Sequence, residues 1–409
     1  MSDTTGQDQQ QNMRRVALTS LAGTSIEWYD FFLYATAAAV IFPIAFFPQE
    51  DPTTALLISF SSLAVGFLAR PLGGVVFGHF GDRIGRKRTL VVALMMMGVT
   101  TTLIGFLPTY ASIGVAAPIL LVLLRFVQGL AIGGQWGGAM LLVTESAPAD
   151  QRGWYGAYAQ AGAPLGVVLA NLAFIGVSSS MSDEAFMDWG WRLPFIASIV
   201  LIGISMYIQL KIEDTQAFQS LSNAQSATDK PVETVKRSPV IEAIRKYPKR
   251  IMLAAGAFLS VQVTFYILIA FVISYGMQSP NLMLSKDLML TAVLVAAAIM
   301  VPTQFYFSGL SDRIGRKNVY RWGAILTGAW GFVLFPLIDT GNPLFICLAI
   351  TVGLLFLGMK YGPQAAYFTE LFSTEVRYSG ASLGYQLGAI IGGALAPTIA
   401  VLLWDSFGI

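Results

Sequence analysis

Long apolar runs recur along the whole chain, and they constrain its fold more than any other feature. Many reach about 20 residues, enough for a helix to cross the hydrocarbon core of a bilayer. Because lipid offers no hydrogen-bond partner to backbone amides, spans this apolar must be helical. Only 12% of the residues are charged, about half of the share that is typical of soluble domains. The sequence therefore predicts an all-α polytopic membrane protein.

We predict eleven spans. They cover residues 16–47, 55–80, 89–108, 113–143, 154–179, 191–211, 250–277, 287–309, 319–339, 343–369 and 379–404. Four segments follow from them: a disordered cytoplasmic tail over 1–15, an N-terminal bundle of spans 1–6 over 16–212, a cytoplasmic linker over 213–249, and a C-terminal bundle of spans 7–11 over 250–409. Within the linker, "SPVIEAIRKYPKR" alternates apolar and basic residues and is typical of an amphipathic interfacial helix.

The positions of lysine and arginine predict the orientation in the membrane. Most of them lie on the side that holds Arg14, Arg15 and the linker, whereas the opposite loops hold only Arg192 and Lys286. Cytoplasmic loops carry this excess of basic residues. We therefore expect a multi-pass protein of the plasma (inner) membrane, with its N-terminus in the cytoplasm.

The residue types limit the possible chemistry. The chain has one cysteine, Cys347, and one histidine, His79. An intramolecular disulfide and a histidine-rich metal site are therefore excluded, and no phosphate-binding loop is present. We expect neither an enzyme nor a resident cofactor, no nucleic-acid partner, and a monomer in contact with the lipid bilayer.

Two motifs occur twice, half a chain apart. The hexapeptide "DRIGRK" stands at 82–87 and again at 312–317. "TESAPADQR" at 144–152 is similar to "TELFSTEVR" at 369–377, each with a glutamate seven residues before an arginine. The two offsets agree within a short loop difference, so span 2 corresponds to span 8 and span 4 to span 10. Two related halves with a substrate site between them are typical of secondary transporters.

These motifs resemble those of the major facilitator superfamily. "GHFGDRIGRK" and "SDRIGRK" are similar to its loop signature, and "RFVQGLAIGGQWGGA" from Arg125 to its fourth-span signature. "GTSIEWYDFFLY", "ARPLGG" and "YGPQAAYFTELF" resemble the metabolite:proton symporter family within it, which carries shikimate, 2-oxoglutarate, citrate, aromatic acids, and proline or betaine. The resemblance implies two pseudo-symmetric six-helix halves. Since only eleven spans are visible, we expect the twelfth to be missing.

The resemblance also implies that the duplicated loops hold the two halves together on the cytoplasmic side. The glycines permit tight turns, and Asp82 and Asp312 either cap helices or pair with the arginines beside them. The expected gating residues are Gly78, Asp82, Arg83, Gly85, Arg86, Glu145, Arg152, Asp312, Arg313, Arg316, Glu370 and Arg377.

Five ionisable residues lie inside predicted spans and are not duplicated: Glu27, Asp30, Arg70, Arg125 and Lys360. Each is a functional candidate because charge inside a bilayer is costly. Glu27 and Asp30 lie at a depth similar to that of Arg70, so we expect them to meet it. An anionic substrate that competes for Arg70 would then link substrate binding to carboxylate protonation. We predict Asp30 or Glu27 as the proton carrier, with a static ion pair as the alternative. The resemblance assigns Arg125 to proton transfer, and its alternative role is a structural hydrogen-bond hub.

Three cations against two carboxylates favour an anion in the cavity. The predicted substrate-binding residues are Arg70, Lys360, Tyr34, Tyr29, Gln135, Tyr361, Gln262 and Tyr266. Lys360 either binds a second carboxylate or faces a vestibule without touching substrate. Gln135 stands where many relatives are expected to carry an acidic residue, so no carboxylate role is assigned there. Trp28, Tyr29, Phe31 and Phe32 are expected to make mostly lipid or interface contacts, and lining the cavity is the alternative for Tyr29.

The sequence thus predicts a proton-coupled symporter that takes up a small organic acid by alternating access, with the proton as coupling ion. The organic acid would be a mono- or dicarboxylate or a shikimate-like anion. Two alternatives remain open: a symporter of a zwitterionic osmolyte such as proline or betaine, and a proton-driven exporter of a small metabolite.

Overall fold

A computed structural model describes residues 2–84, 86–133, 143–144, 147–213, 239–373 and 377–407. The described part holds eleven principal helices. They are α1 (Ser2–Val40), α2 (Pro52–Ile84), α3 (Arg86–Phe106), α4 (Ala116–Gly133), α5 (Arg152–Ser178), α6 (Arg192–Glu213), α7 (Pro248–Tyr266, continued by Val272–Gln278), α8 (Lys286–Ile314), α9 (Arg316–Ile338), α10 (Pro343–Glu370) and α11 (Arg377–Ala389, continued by Leu395–Phe407). Short helices lie at Phe42–Phe46, Tyr110–Ile113, Asp183–Ala185 and Pro239–Lys246.

The helices coincide with the predicted spans to within a few residues at most ends. The exception is α1, which begins at Ser2, whereas residues 1–15 were predicted to be a disordered tail. By length and composition, eight helices in the described residues can cross a membrane. The count is nine if Asp183–Gly190 and Arg192–Ile204, which meet at 51°, form one bent span. The all-helical membrane fold is thus confirmed. The helix Pro239–Lys246 occupies the predicted amphipathic segment of the linker.

Local sequence signals place several helix ends. The side chain of Asn342 accepts a hydrogen bond from the backbone amide of Leu344 at 2.9 Å and caps α10. Ser285 caps α8 in the same way, accepting from Leu288 at 3.3 Å. Such caps satisfy amides that have no partner within the helix. Between α8 and α9, Gly315 has φ +94°, a conformation that favours glycine, and this confirms the turn predicted there.

Helices α1–α6 form the N-terminal half and helices α7–α11 the C-terminal half. Helix α5 packs along α1 of its own half and along α8 of the other. Helix α2 packs against α11. Both α7 and α11 contain a π-helical turn, at Ile267–Phe271 and Ile390–Ala394, and these turns contact α1 and α2 respectively. One large core of aromatic and aliphatic side chains continues across this seam between the halves.

Candidate functional site

Close packing of α2 against α4 brings two intramembrane arginines into one side-chain cluster. A Cβ atom at Gly129 of α4 would collide with the carbonyl oxygen of Gly66, and one at Gly133 with the carbonyl oxygen of Arg70. Small residues let membrane helices approach each other this closely. Arg70 and Arg125 therefore project from a tightly joined pair of helices.

Both arginines lie against one aromatic ring, that of Phe31 on α1. The guanidinium carbon of Arg70 is 4.8 Å from the ring centre, and that of Arg125 is 4.3 Å away. Each arginine also contacts a second ring, Phe67 at 4.3 Å for Arg70 and Tyr34 at 4.2 Å for Arg125. The two residues are only 2% and 1% exposed. Because desolvated cation–π contacts are favourable by about 2 kcal/mol, the rings help to hold both charges inside the protein. We call these five residues the arginine cluster.

Each guanidinium keeps one edge without a hydrogen-bond partner among the described residues. In both arginines the atoms concerned are Nε and Nη2, which lie on the same side of the planar group. Nη1 of Arg125 donates to Oε1 of Gln128 at 3.2 Å. None of the ion pairs between described residues involves either arginine. Paired N–H groups of this kind match the two oxygens of a carboxylate, so the cluster can bind carboxylate groups.

The C-terminal half closes the cluster from the opposite side. The ring centre of Tyr266 on α7 lies 6.2 Å from that of Phe31 and 5.5 Å from that of Phe67. Tyr361 of α10 and Tyr385 of α11 lie within electrostatic range of Arg70. The arginine cluster therefore sits at the seam between the halves, where a secondary transporter holds its substrate.

Asp30 does not meet Arg70 as the sequence predicted. Its carboxyl group is buried beside the hydroxyl groups of Thr101 on α3 and Ser198 on α6. Thr101 accepts a hydrogen bond from Nε2 of Gln128 at 2.7 Å, and Gln128 accepts from Arg125. A chain of polar groups thus runs from Asp30 towards Arg125. The difference arises because depth fixes only the height of a residue, and consecutive helical residues point about 100° apart. Phe31 faces the arginines, and Asp30 faces α3 and α6.

Glu27 lies one turn before Asp30. It is partly buried and lies within electrostatic range of Asp30. Its role as an alternative proton carrier stays a prediction.

Lys360 lies away from the arginine cluster. Its ammonium nitrogen is 3.3 Å from the carbonyl oxygen of Ser260 and 3.4 Å from the hydroxyl of Thr264, both on α7. A Cβ atom at Gly323 of α9 would lie 3.0 Å from its Cγ. The structure therefore places Lys360 between α7 and α9, and brings its neighbour Tyr361 towards Arg70 instead. Its role in substrate binding stays a prediction.

The other predicted substrate-binding residues lie in different parts of the structure. Tyr29 donates its hydroxyl to the carbonyl of Pro194 at 2.9 Å, within the N-terminal half. The hydroxyl of Tyr34 pairs with that of Ser62 at 2.7 Å. Gln262 is buried on α7, and its amide nitrogen has no hydrogen-bond partner among the described residues. Gln135 lies outside the described residues.

Most of the aromatic residues of α1 are buried, and the predicted lipid contacts of Phe31 and Phe32 are wrong. Phe31 and Phe32 are 2% and 1% exposed and do not contact lipid, and Trp28, partly buried, stacks on Phe32 with ring centres 5.2 Å apart. Phe67 was missed as well. The available signal was helical spacing, because Phe67 stands three residues before Arg70 and Phe31 three residues before Tyr34, which places each pair on one face.

Comparisons with known proteins identify the family. The family model described as Major Facilitator Superfamily matches residues 30–397. This chain belongs to the major facilitator superfamily. It is therefore a multi-pass membrane transporter and not an enzyme, and the resemblance to the metabolite:proton symporters is confirmed.

Several relatives of this transporter are similar over nearly its whole length. It is 41% identical over 403 residues to the inner membrane metabolite transport protein YhjE of Escherichia coli, covering 97% of this chain and 89% of that protein. It is 40% identical over 395 residues to the shikimate transporter of Escherichia coli, covering 96% and 88%. It is 32% identical over 400 residues to the proline/betaine transporter of Salmonella typhimurium, covering 96% and 78%.

A solved structure shares the fold. The xylose transporter XylE of E. coli, in a partially occluded inward-open conformation, matches with a TM-score of 0.71 at 15% identity. The match covers 97% of this transporter and 98% of that chain. At this identity the likeness shows the fold alone.

On the predicted cytoplasmic side of this transporter, Asp312 joins the two halves. Its carboxylate oxygens accept hydrogen bonds from the backbone amides of Gly153 and Trp154, each at 2.9 Å. These amides open α5, so a residue of the C-terminal half caps a helix of the N-terminal half. A negative charge is favourable at this end of a helix because the helix dipole is positive there.

Arg316 extends the contact within the C-terminal half. It pairs with Asp312, donates to the hydroxyl of Ser311 at 2.9 Å, and reaches Glu370 at 3.4 Å. Asp312 thus both caps a helix and pairs with an arginine of its own motif, which combines the two roles that the sequence left open.

The other expected gating residues add less. Arg313 is exposed, and Arg152 is partly buried. Gly85 and Glu145 lie outside the described residues. Five more residues lie in described helices, but their side-chain environments are outside the described part: Gly78, Asp82, Arg83, Arg86 and Arg377. The gating roles stay predictions.

Proposed function

We propose that this transporter is a proton-coupled symporter that takes up a small organic anion by alternating access. The observation that carries the proposal is the arginine cluster, where two buried guanidinium groups share the Phe31 ring. Each presents Nε and Nη2 without a partner among the described residues. Buried donors without partners are costly, and a carboxylate that binds to them removes that cost.

The cluster favours an anion over a zwitterionic osmolyte. A quaternary ammonium group is recognised by the faces of aromatic rings. Here Phe31, Phe67 and Tyr34 already face guanidinium groups. A second positive charge from the substrate would therefore be repelled at the same rings. The shikimate transporter among the relatives fits this preference, while the proline/betaine transporter supplies the competing hypothesis.

Proton coupling is supported by the hydrogen bonds from Arg125 to Gln128 and from Gln128 to Thr101, because Thr101 lies beside the carboxyl group of Asp30. Substrate binding at Arg125 alters the charge at one end of this chain of polar groups. The carboxyl group of Asp30 then takes up a proton at the other end. An anion and a proton would cross together, so the net charge moved is small.

The direction and orientation also belong to the proposal. The excess of basic residues supports an orientation with the N-terminus, the linker and the Asp312 contact in the cytoplasm. In that orientation a proton gradient directed into the cell drives uptake. An exporter on the same fold would instead accumulate substrate on the side from which protons leave.

Reconstitution into proteoliposomes tests these statements. With a proton gradient directed inward, labelled shikimate or a small dicarboxylate is expected to accumulate, and a protonophore is expected to abolish the accumulation. Competition by unlabelled monocarboxylates, dicarboxylates and betaine identifies the substrate class. Accumulation that does not depend on the proton gradient contradicts proton coupling. Competition by betaine alone contradicts the preference for an anion.

A further inference from the structure

A pocket of about 320 Å³ lies far from the arginine cluster, at the predicted cytoplasmic ends of α1 and α5. Its volume falls at the lower end of the range typical of small-molecule sites. It is lined by Arg14, Leu18, Gln151, Trp154, Tyr155 and Tyr158. Among the described residues, the lining therefore carries one positive charge and no carboxylate.

The pocket stands where the polar surface of the membrane is expected. Arg14 is exposed and lies two residues before the first predicted span. One turn further into the span, Leu18 is 56% exposed, and beside it Trp154 of α5 is 40% exposed. Tryptophan and tyrosine are enriched at the level of lipid headgroups. The polar part of the pocket is thus at headgroup depth, and its apolar part faces the acyl chains.

The donors in the pocket match a phosphodiester. An arginine guanidinium binds phosphate oxygens, and the indole, phenol and amide groups of the lining add further donors. The cytoplasmic leaflet is rich in anionic lipids, and each basic residue near its surface contributes about 1 kcal/mol to lipid binding. The charge of the pocket, its depth and its apolar wall at Leu18 together fit an anionic phospholipid better than a soluble anion. A soluble anion has no acyl chain to pack against that wall.

One wall of the pocket is also part of the seam between the halves. The ring of Trp154 lies 5.4 Å from that of Phe305 on α8, and the ring of Tyr158 lies 4.8 Å from it. The backbone amide of Trp154 donates to Asp312. When α8 moves away from α5, Trp154 and Tyr158 lose their contacts with the ring of Phe305. A ligand held by them therefore binds more tightly while the cytoplasmic seam is closed.

We propose that this pocket holds the phosphodiester headgroup of an anionic phospholipid from the cytoplasmic leaflet, and that the bound lipid stabilises the closed cytoplasmic seam. The proposal is independent of the identity of the transported substrate. It gives the lipid composition of the membrane a direct effect on the balance between inward-open and closed conformations.

Native mass spectrometry of the full-length protein tests the binding. Phosphatidylglycerol and phosphatidylcholine with the same acyl chains are compared on the wild type, Arg14→Gln and Arg14→Lys. The first phosphatidylglycerol adduct is expected to weaken about fivefold in Arg14→Gln, which corresponds to the loss of about 1 kcal/mol, and to persist in Arg14→Lys. Arg245→Gln is the matched control, because Arg245 is also exposed on the predicted cytoplasmic side. Equal weakening in both glutamine variants overturns the site.

Hydrogen exchange in nanodiscs tests the effect on the seam. Phosphatidylglycerol is expected to slow exchange of the amides of residues 151–158 relative to phosphatidylcholine, and Arg14→Gln is expected to remove the difference. Inorganic phosphate at millimolar concentration is added to phosphatidylcholine nanodiscs in a separate arm. Protection by phosphate equal to that by the lipid would mean a soluble-anion site and contradict the lipid assignment. The absence of any lipid-dependent protection would contradict the conformational role.

Discussion

Arg70 and Arg125 face the same aromatic ring, with their guanidinium carbons 4.8 and 4.3 Å from the centre of Phe31. They come from different helices, α2 and α4, and the ring comes from a third. Two like charges this close are unfavourable unless an anion joins them. The carboxylate-bearing substrate proposed above would neutralise both charges. The two arginines and the ring can each be changed separately.

Replacing Arg70 by methionine is expected to reduce carboxylate affinity by at least about thirtyfold. The change removes one side of a buried charge-assisted contact, which costs about 2 kcal/mol or more. Arg70→Lys retains the charge without the paired N–H groups, so its carboxylate affinity is expected to lie between those of the wild type and Arg70→Met. Equilibrium binding of labelled substrate measures the effect. Arg192→Met is the control, because the contacts of Arg192 with described residues, to Asp188, Leu107 and Trp191, lie within its own half at the opposite membrane surface. Equal affinity in Arg70→Met and the wild type would remove Arg70 from the site.

Phe31→Leu is expected to weaken substrate binding about tenfold while the protein stays folded. Leucine fills part of the space but offers no face to the two guanidinium groups, so their orientation is lost together with the cation–π contacts. Phe32→Leu is the matched control, because Phe32 stacks on Trp28 and makes no contact with either arginine among the cation–π pairs of the described residues. Substrate titration of both variants distinguishes the loss of the cation–π contacts from a general packing effect. Similar losses would indicate a general packing effect instead.

Asp30→Asn is expected to abolish uptake driven by a proton gradient while leaving exchange of internal for external substrate. Asparagine keeps the shape of the side chain and cannot take up the proton. Exchange needs no net proton movement, so it persists if Asp30 acts only in coupling. Both rates are measured in the same proteoliposome preparation. If both are lost in a correctly folded variant, Asp30 has a binding or structural role and not a coupling role.

Asp312→Asn is expected to open the cytoplasmic side more often. Asparagine keeps one of the two oxygens that cap α5 across the seam but loses the other acceptor and the negative charge. This loss costs about 1 kcal/mol, or about a fivefold change in the conformational equilibrium. Accessibility of a cysteine introduced into the cytoplasmic seam measures the shift. Asp150→Asn, a nearby exposed aspartate, is the control. An unchanged accessibility would show that the cap does not hold the seam.

A second contact between the halves lies at the opposite membrane surface and is sensitive to pH. Lys286 of α8 donates to Asp183 at 2.8 Å and lies 4.1 Å from the ring centre of Phe186. The hydrogen bond and charge of Lys286 hold the pKa of the Asp183 carboxyl below its usual value. The contact is therefore complete above the ordinary carboxyl pKa and is lost as the external pH falls through the lowered value.

Lys286→Met should accordingly raise the accessibility of the outer seam to an impermeant thiol reagent at neutral pH. The rise is expected to be small, because exposed ion pairs contribute only about 0.2–1 kcal/mol. In the wild type the same rise should appear only in strong external acid. A rise in accessibility centred near neutral pH in the wild type would show that protonation of Asp183 is not its cause.

The sequence predicted the helices well and the site only in part. Span positions follow from hydropathy and length alone, and the turn at Gly315 follows from its glycine. Arg70 and Arg125 were found because a charge within an apolar span has no other common explanation. Phe31 and Phe67 were not found, because an aromatic residue in a membrane helix has the same local signature whether it faces lipid or a guanidinium group.

The partner of Asp30 required the structure for a different reason. Counting residues along α1 and α2 gives the depth of Asp30 and Arg70, but not the direction in which each side chain points. That direction depends on how the helices rotate when they pack, and here the close approach of α2 and α4 at Gly129 and Gly133 decides it. Lys360 is a similar case, since one position along α10 separates it from Tyr361, which approaches Arg70.

The most direct test of the account is whether substrate binding and proton binding are linked in the purified protein. In a weakly buffered detergent solution with a pH-sensitive dye, addition of a transported carboxylate is expected to draw protons from the solution in the wild type. Asp30→Asn is expected to bind the same carboxylate without proton uptake. Saturating binding to the wild type with no proton uptake at any pH at which transport is driven by protons would contradict the account.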